Sequence, residues 1–251
     1  MPRYRSYLDP SESTIEETFS LSSEESHHLL RVRRAKVEDP VTVFDGRGNE
    51  YKCFLEGVSA GKATLRVDIK KTYAPPSCRI ILAQTILKSQ KMDQVIQRAT
   101  ELGASHLVPV LSERAVALLS NDRYENRFRR WKLLTVEACK QSGNLFLPTI
   151  GPITALKDFC GQPQEQELRL IGSLEPQATN IVCTISEFRQ THSINNPASI
   201  LCLIGPEGDF TREEYQIAHK AGFIPITLSP NTLRSETAAT VSVALLRQYL
   251  D

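Results

Sequence analysis

Three short segments in the carboxyl-terminal half of the chain carry residues suited to holding a small ligand. They lie around Gly172, at residues 205–208 and at residues 229–233, and each follows an apolar stretch. Glycine-rich turns offer main-chain N–H and C=O groups and permit backbone conformations closed to other residues. No P-loop, G-x-G-x-x-G fingerprint, serine–histidine–aspartate order or metal-ligand set accompanies them. Main-chain groups without a lysine cradle suit a small cofactor that lacks a polyphosphate.

These turns are predicted to lie at one edge of a parallel β-sheet. Residues 168–173, 200–204 and 223–228 are short apolar runs, which strands covered on both faces require. After the second run, Thr211 and Glu214 have the spacing of a helix capping box. Closely repeated strand–turn–helix units bring their turns to the carboxyl ends of neighbouring strands, where open α/β sheets bind ligands.

The composition predicts a soluble globular protein with one or two domains. The chain has 251 residues and a net charge of +1, which argues against coating nucleic acid by bulk electrostatics. No apolar run approaches the ~18 residues of a membrane span, and the start lacks the apolar core of a secretory signal. The six cysteines are scattered singly, without a C-x-x-C pair or a histidine at metal spacing. We therefore expect a cytoplasmic protein without a metal site or a membrane contact.

Residues 1–73 are predicted to form a separate small domain. Residues 41–54 have a hairpin signature with Asp-Gly in the turn, and residues 63–69 alternate with the period of a half-buried strand. Several short strands with tight turns indicate a small barrel. A Tyr-Ala-Pro-Pro-Ser connector follows, and strands alternate with helices over residues 74–251, which predicts an α/β domain.

Basic residues are bunched in two places despite the small net charge. Residues 31–36 contain four cations, and Arg123, Arg127 and Arg130 recur at i, i+4 and i+7 of a predicted helix. A row of arginines on one side of a helix is typical of a surface that follows phosphates, but a solvated face has the same pattern. The pattern leaves both interpretations open.

The predicted last helix, residues 236–250, is apolar nearly all round. Ala238, Val241 and Leu245 share one side, and further apolar residues lie on the others. Such a helix must be covered on most sides. In a domain of this size, we expect packing against another subunit as well as against the sheet.

Two segments, LIGPEGDFTREE from Leu203 and LSPNTLRSETAA from Leu228, resemble the signature stretches of the RsmE-type ribosomal RNA (uracil-N3)-methyltransferases of the SPOUT superfamily. Three further groups of residues extend the resemblance over nearly the whole chain. They are His28-Leu29-Leu30-Arg31 with Asp45-Gly46-Arg47-Gly48, Lys88 and Lys91 with Thr100-Glu101-Leu102-Gly103, and Glu137-Ala138 with Gln141-Ser142. The two carboxyl-terminal segments in this order, after a PUA-like first domain, are strongly specific.

The resemblance implies an S-adenosylmethionine-dependent enzyme that methylates N3 of a uridine in small-subunit (16S) ribosomal RNA. The implied fold is an α/β SPOUT domain at residues 74–251, with a mostly parallel sheet and a deep trefoil knot, after a PUA-like β-barrel at residues 1–73. The implied assembly is a homodimer, and the implied partner is small-subunit RNA or the assembled subunit.

The resemblance also implies roles for individual residues. Arg234 would stabilise a uracil anion or clamp a phosphate, Glu236 would accept a proton or orient Arg234, and Glu207 would hold a polar edge of the cofactor or base. Cofactor contacts are expected mainly from main-chain groups of the turn residues Ile171, Gly172, Ile204, Gly205, Leu228, Ser229 and Leu233. RNA contacts are expected from the basic residues Arg31, Arg33, Arg34, Lys88, Lys91, Arg123, Arg127 and Arg130.

The chain departs from the usual residues of this family at several positions. Glycine is usual where Glu38, Asp209 and Ser229 stand, arginine–isoleucine where Asn231-Thr232 stand, and arginine where Asn144 stands. Asp209 and Ser229 border the expected cofactor pocket. Asn144 lies on the expected RNA surface.

Two other functions are compatible with the sequence. One is a SPOUT methyltransferase that acts on tRNA or on another ribosomal RNA position. The other is a catalytically silent RNA-binding protein that kept the fold, in which Ser235 and Glu236 would serve only to start a helix. Binding of S-adenosylmethionine separates the second from an enzyme, and the modified nucleotide separates the first.

Overall fold

A computed structural model describes residues 4–11, 16–118, 124–162 and 166–250. The chain divides into two units. The first contains Met1–Pro75 and Val136–Leu147, and the second contains Pro76–Thr135 and Pro148–Asp251. Each unit has its own sheet and its own buried core.

The first unit is built on a five-stranded sheet. Its strands are β1 (Arg5–Tyr7), β2 (Thr18–Ser20), β3 (Pro40–Phe44), β4 (Asn49–Ser59) and β5 (Lys62–Thr72). They lie in the order β1-β3-β4-β5-β2; β1 runs parallel to β3, and the remaining pairings are antiparallel. Leu55 and Leu65 are paired across β4 and β5 and are fully buried, as the alternating pattern requires. A short helix, α1 (Ser23–His27), continues as the π-helical segment His28–Val32.

The turn between β3 and β4 confirms the hairpin that the sequence predicts. The Asp45 carboxylate accepts hydrogen bonds from the main-chain N–H groups of Arg47, at 2.8 Å, and Asn49, at 3.1 Å. Gly48 adopts φ +93°, and a Cβ there would lie 2.7 Å from the Phe146 ring. Both the conformation and the lack of space therefore favour glycine at this position.

A buried lysine ties α1 to the segment Val136–Leu147 within the first unit. Lys140 Nζ lies 2.9 Å from Glu25 Oε1 and 2.9 Å from Glu137 Oε1, and the lysine side chain is 6% exposed. Ser22 caps α1 by accepting a hydrogen bond from the N–H of Glu25 at 3.2 Å, as its spacing predicts. The carboxylate of Glu25 is engaged by Lys140 and not by the cap. Glu137, one of the residues that carry the family resemblance, therefore makes an ion pair with Lys140 inside this unit.

The second unit is built on an eight-stranded sheet. Its strands are β6 (Arg79–Thr85), β7 (His106–Leu111), β8 (Thr149–Ile150), β9 (Thr154–Ala155), β10 (Leu168–Gly172), β11 (Thr179–Asn180), β12 (Ser199–Ile204) and β13 (Ile224–Thr227). The order is β11-β13-β10-β12-β6-β7-β8, β9 also pairs with β7, and all pairings of these strands are parallel. This confirms the mostly parallel α/β sheet that the sequence predicts.

Helices cover both faces of this sheet. They are α2 (Ser89–Glu101), the part of α3 (Tyr124–Ser142) that precedes Val136, α4 (Leu156–Gly161), α5 (Ile181–His192), α6 (Arg212–Lys220) and α7 (Ser235–Leu250). One core cluster joins Leu82 of the sheet to α2, α5 and α7, and the other joins Leu203 to α4 and α6. All six residues of β12 are buried, which explains their continuous apolar run. None of the described helices combines the length and apolar character needed to cross a membrane.

Pro109 lies in β7, an inner strand of the sheet, where proline is unusual. β7 pairs with β6 on one side, where Pro109 stands opposite Gln84. On the other side β8 pairs with His106 and Leu107, and β9 pairs with Val110 and Leu111. Proline cannot donate a ladder hydrogen bond, and it falls in the interval between these two short strands.

The helix ends follow their sequence signals. Thr211 and Glu214 form the predicted capping box of α6, with Glu214 Oε2 accepting from the Thr211 N–H at 2.9 Å. Gly222, with φ +82°, follows the end of that helix. Residues 177–197, which the sequence leaves unassigned, contain β11 and α5, and the Asn180 side chain caps α5.

Candidate functional site

Three neighbouring strands of the second unit end at a cavity of about 250 Å³. β13, β10 and β12 are adjacent and parallel, so their carboxyl ends lie at one edge of the sheet. The walls of the cavity are formed by residues 172–175, 204–207, 209 and 226–233. Ser235 and Ala238 of α7 complete them. The edge predicted from the three turns is therefore a concave site.

Six of the seven predicted cofactor-binding residues line this cavity: Gly172, Ile204, Gly205, Leu228, Ser229 and Leu233. The seventh, Ile171, is fully buried, and its side chain packs in the core cluster that contains Leu203 and Phe210. Successive side chains of a strand point to opposite faces, so Ile171 and Gly172 face different surroundings. Only main-chain groups of Ile171 are left for a ligand.

The cavity also contains residues beyond those predicted. Ser173, Leu174 and Glu175 extend the wall after Gly172, and Ser235 completes it elsewhere. Asp209, which the sequence places at the border of the expected pocket, also lines the cavity. A sequence signal for them existed, because each lies within three residues of a predicted site residue. A turn at a strand's end contributes several consecutive residues to a site, so adjacency alone could have included them.

In the turn after β12, the residue with a left-handed backbone conformation is Asp209, with φ +60°. Gly205 and Gly208 permit conformations closed to other residues, but neither has a left-handed φ. A Cβ on Gly205 would lie 3.0 Å from the Phe210 ring, so packing favours glycine there. Aspartate tolerates a left-handed φ better than most residues because its short polar side chain bonds locally.

Ser235 links the start of α7 to the turn after β12. Its Oγ donates a hydrogen bond to the main-chain carbonyl of Gly205 and accepts one from Gln84 Nε2 at 3.0 Å. Gln84 is buried in β6, and its Nε2 also donates to the Thr85 carbonyl at 2.9 Å. Ser235 is 5% exposed, so these bonds are shielded from water and hold the Gly205 turn against α7.

Lys91 joins the two carboxylates that are predicted to be catalytic. Lys91 Nζ lies 2.6 Å from Glu207 Oε1 and 3.4 Å from Glu236 Oε1. Its hydrogen bond lowers the pKa of the Glu207 carboxyl below the ordinary value, and the same bond raises the pKa of Lys91. The contact therefore favours a charged lysine and a charged Glu207 at neutral pH.

Glu236 is the more buried of these two carboxylates, with a side chain that is 10% exposed. Its Oε1 faces Lys91, and its Oε2 is buried and makes no hydrogen bond with any described residue. The unpaired Oε2 keeps its capacity to accept a hydrogen bond or a proton, although Glu236 is not itself among the lining residues of the cavity.

Arg234 precedes α7 and is exposed. Its main-chain carbonyl accepts hydrogen bonds from the N–H groups of Thr237, at 2.9 Å, and Ala238, at 2.8 Å. Within the described parts of the chain, no hydrogen bond or ion pair engages its guanidinium, and Glu236 is paired with Lys91 instead. The guanidinium is therefore open to an anionic ligand next to Leu233 and Ser235 of the cavity wall.

The arginine row on α3 is only partly open to solvent. Arg130 is exposed but paired with Asp93, whose Oδ2 lies 2.8 Å from the guanidinium. Arg127 is half-buried, and Arg123 lies outside the described residues. An exposed ion pair such as that of Arg130 is weak, so it does not prevent contact with a phosphate.

The remaining predicted RNA-binding residues, apart from Lys91, are exposed. Lys88 precedes α2 in the second unit. In the first unit, Arg31 lies in the π-helical segment, and Arg33 and Arg34 follow it. Arg34 adopts φ +57°, which ends the helical backbone there.

Two protein families match the chain. Residues 74–247 match the family described as RNA methyltransferase domain, and residues 21–68 match the RNA methyltransferase PUA domain. The first match covers more than half of the chain.

Named proteins and solved structures are similar over nearly the full length. The ribosomal RNA small subunit methyltransferase E of Synechocystis sp. is 31% identical over 99% of this chain and 78% of its own. The protein of the same name from Mesomycoplasma hyopneumoniae is 31% identical over 94% of this chain and 95% of its own. The structure of ribosomal RNA small subunit methyltransferase E from Neisseria gonorrhoeae bound to S-adenosyl methionine has a TM-score of 0.81 at 27% identity and covers 98% of this chain and 97% of that chain. A putative methyltransferase from Legionella pneumophila, with bound cofactor SAM, has a TM-score of 0.84 at 26% identity and covers 97% of this chain and 96% of that chain.

Proposed function

Because this chain belongs to the RNA methyltransferase family, we propose that it methylates N3 of a uridine in small-subunit (16S) ribosomal RNA with S-adenosylmethionine. The observation that carries the proposal is the cavity at the ends of β13, β10 and β12. Two similar structures hold S-adenosylmethionine, which supports this cofactor. The names of the relatives support the RNA, and the resemblance of the two carboxyl-terminal segments supports the N3 position.

The chemistry of the cavity fits this cofactor. Its described lining offers main-chain groups, hydroxyls and apolar side chains, with three carboxylates and no basic side chain. Such a lining suits a molecule that has no phosphate and carries ammonium and sulfonium cations. When bound, the cofactor supplies an electrophilic methyl group. The residues that would hold it are Gly172, Ile204, Gly205, Leu228, Ser229 and Leu233, with main-chain groups of Ile171.

The proposed roles of the charged residues follow from what methylation at N3 requires. A uridine N3 carries a proton, which must leave before its lone pair can form a bond to carbon. Glu236 is the proposed acceptor of that proton, because its Oε2 has no hydrogen-bond partner among the described residues and its Oε1 is held by Lys91. Arg234 is the proposed counter-ion of the resulting uracil anion. Glu207 is proposed to hold a polar edge of the cofactor or base, and Lys91 to hold both carboxylates in place.

We propose that RNA contacts basic residues in each of the two units. All of the described ones except the half-buried Arg127 are exposed, and this exposure supports phosphate contacts, which require little more than accessible positive charge. Arg123 belongs to this proposal by sequence only, since it lies outside the described residues. The proposed RNA-binding residues are Arg31, Arg33, Arg34, Lys88, Arg123, Arg127 and Arg130.

The proposed architecture is a PUA-like barrel at residues 1–73 and a knotted SPOUT domain at residues 74–251. The strand order supports the knot, because β10 lies between β12 and β13, and α7 then begins against the turn after β12. The half-buried apolar residues Val241 and Leu245 of α7 support a homodimer. A ribosomal substrate implies a cytoplasmic protein.

Replacement of Arg234 tests this function. Small ribosomal subunits that lack the modification are incubated with methyl-labelled S-adenosylmethionine and with wild type, Arg234→Ala or Arg212→Ala. We expect Arg234→Ala to slow methylation about 100-fold or more, as the loss of a preorganised group facing developing charge does, with cofactor affinity kept within about threefold. Arg212 is exposed at the first position of α6, so Arg212→Ala should keep both properties.

Each alternative has its own outcome in this experiment. A wild-type rate for Arg234→Ala would remove Arg234 from the mechanism. Methylation of tRNA in place of the small subunit would identify a different substrate. Absence of cofactor binding by the wild-type protein would favour a silent RNA-binding protein.

A further inference from the structure

The cavity carries an unusual balance of charge. Glu175, Glu207 and Asp209 belong to its described lining, and that lining contains no lysine, arginine or histidine. A ligand in this cavity therefore experiences a negative environment, and the part that each carboxylate contributes depends on its own partners.

Two of the three carboxylates are paired with basic side chains from outside the lining. Glu207 Oε1 lies 2.6 Å from Lys91 Nζ, and Glu175 Oε2 lies 3.3 Å from His219 Nε2. The lysine neutralises most of the charge of Glu207, and the histidine does so for Glu175 when it is protonated.

Asp209 has a different kind of partner. Its Oδ1 accepts a hydrogen bond from the hydroxyl of Tyr215 at 2.8 Å, and a phenol holds a carboxylate without cancelling its charge. Arg114, from the 3-10 helix Glu113–Leu118 that follows β7, binds the main-chain carbonyls of Gly208 and Asp209 and not the Asp209 carboxylate. Among the described residues, no ion pair involves the Asp209 carboxylate, so no side-chain cation in direct contact cancels its negative charge.

The position of this carboxylate is fixed by its surroundings. Tyr215 is buried, and its ring packs edge-on against Phe210 with 5.5 Å between the ring centres. Burial raises the pKa of the Tyr215 hydroxyl, and its hydrogen bond to Asp209 raises it further, so the hydroxyl stays a donor. Asp209 is thus anchored through one oxygen on a rigid aromatic pair.

We propose that Asp209 is a specificity-determining residue that makes the site favour S-adenosylmethionine over the demethylated product, S-adenosylhomocysteine. The proposal rests on the proposed function, because it assumes this cofactor. Methyl transfer breaks the bond between sulfur and the methyl carbon and forms a bond between that carbon and the acceptor nitrogen, which has given up its proton. The electron pair of the broken bond stays on sulfur, so a cationic sulfonium becomes a neutral thioether. A fixed anion in the wall attracts the charged form more than the neutral form, and the product is released more readily.

Calorimetric titration of three variants tests the proposal. Asp209→Asn removes the charge and keeps an oxygen for Tyr215, and Asp209→Gly removes the side chain at a position whose φ of +60° suits glycine. We expect the ratio of the dissociation constants, product over cofactor, to fall about three- to tenfold in both variants, which corresponds to one unit charge acting through a partly solvated site. Glu213→Gln, an exposed charge on the first turn of α6 outside the cavity lining, should leave the ratio unchanged.

A further ligand separates charge from shape. Sinefungin carries an amine in place of the methylated sulfonium, so it is cationic without a transferable methyl group, and its affinity should fall together with that of S-adenosylmethionine in Asp209→Asn. A ratio within twofold of wild type in Asp209→Asn, with both ligands binding, overturns the inference and leaves the proposed function intact. Failure of the wild-type protein to bind either ligand contradicts the proposed function itself.

Discussion

Removal of the Ser235 hydroxyl tests whether its hydrogen bonds hold the Gly205 turn of the cavity against α7. Ser235→Ala removes a hydrogen bond to the Gly205 carbonyl and one from Gln84 Nε2, in a position that is 5% exposed. Gln84 Nε2 keeps its bond to the Thr85 carbonyl, so the Gly205 carbonyl is the group that loses its partner. An unpaired buried polar group costs about 1–3 kcal/mol, and we therefore expect the free energy of unfolding to fall by about 2 kcal/mol.

A second serine of the same helix is the matched control. Ser242 is fully buried, and its Oγ donates to the Ala239 carbonyl at 2.9 Å within α7. That carbonyl keeps its helical partner when the hydroxyl is removed, so Ser242→Ala should cost less than about 1 kcal/mol. Ser242 is not part of the cavity lining, and cofactor affinity should be unchanged in this variant.

The assay combines unfolding with cofactor titration. For a unit of this size, about 2 kcal/mol corresponds to a melting temperature lower by about 4–8 °C. Because Gly205 lines the cavity, we also expect Ser235→Ala to bind S-adenosylmethionine about three- to tenfold more weakly, which is ~1 kcal/mol of lost positioning. Equal stability of the two serine variants, with wild-type cofactor affinity in both, would refute the role of Ser235.

Two further predictions concern Lys91 and Glu38. Lys91→Met should slow methylation more than it weakens RNA binding. The variant should also have a smaller free energy of unfolding than wild type at neutral pH, because Lys91 stabilises the charged Glu207 and lowers its pKa. This difference should vanish as the pH falls below the ordinary glutamate pKa of about 4.3 and Glu207 becomes protonated. Lys157→Met, at an exposed position of α4, is the control, and a deficit of Lys91→Met that persists at low pH would contradict the ion pair. Glu38→Gly should stabilise the first unit by about 0.5–1 kcal/mol in denaturant unfolding, because φ is +69° and the exposed pair with Arg66 contributes little. Glu187→Gly within α5 should have the opposite sign, and destabilisation by both would contradict a strained Glu38.

The cavity could be predicted from the sequence because its walls follow local signals. Continuous apolar runs identify β10, β12 and β13, and parallel strands bring their carboxyl ends together. That argument locates the three turns, and the resemblance to the RsmE-type family names the six lining residues within and beside them. The capping box of α6 was equally accessible, since Thr211 and Glu214 are three residues apart.

The contacts that organise the charges could not be predicted in this way. Lys91 and Glu207 are 116 positions apart, and Gln84 and Ser235 are 151 apart, so only the folded chain brings them together. The two lysine–carboxylate contacts depend on how the starts of α2 and α7 meet the turn after β12. No periodicity within any one segment contains that information.

The sequence also did not predict which single residues have a left-handed backbone conformation. Glycine at positions 205 and 208 permits a left-handed turn residue, but Asp209 has that conformation. Glu38, Asp209 and Ser229 all stand where the resembling family usually has glycine. Glu38 and Asp209 have positive φ, whereas Ser229 does not and instead accepts a hydrogen bond from the Asn231 N–H at 3.2 Å.

We propose that this chain places a methyl group on N3 of one uridine of small-subunit ribosomal RNA. The most direct measurement maps methylated uridines in that RNA from cells with the gene, without it, and with the gene restored. Methylation at N3 blocks base pairing, so reverse transcription stops at the modified nucleotide. We predict one stop that disappears on deletion and returns with the wild-type gene but not with Arg234→Ala. An unchanged set of stops in the small-subunit RNA would contradict the account.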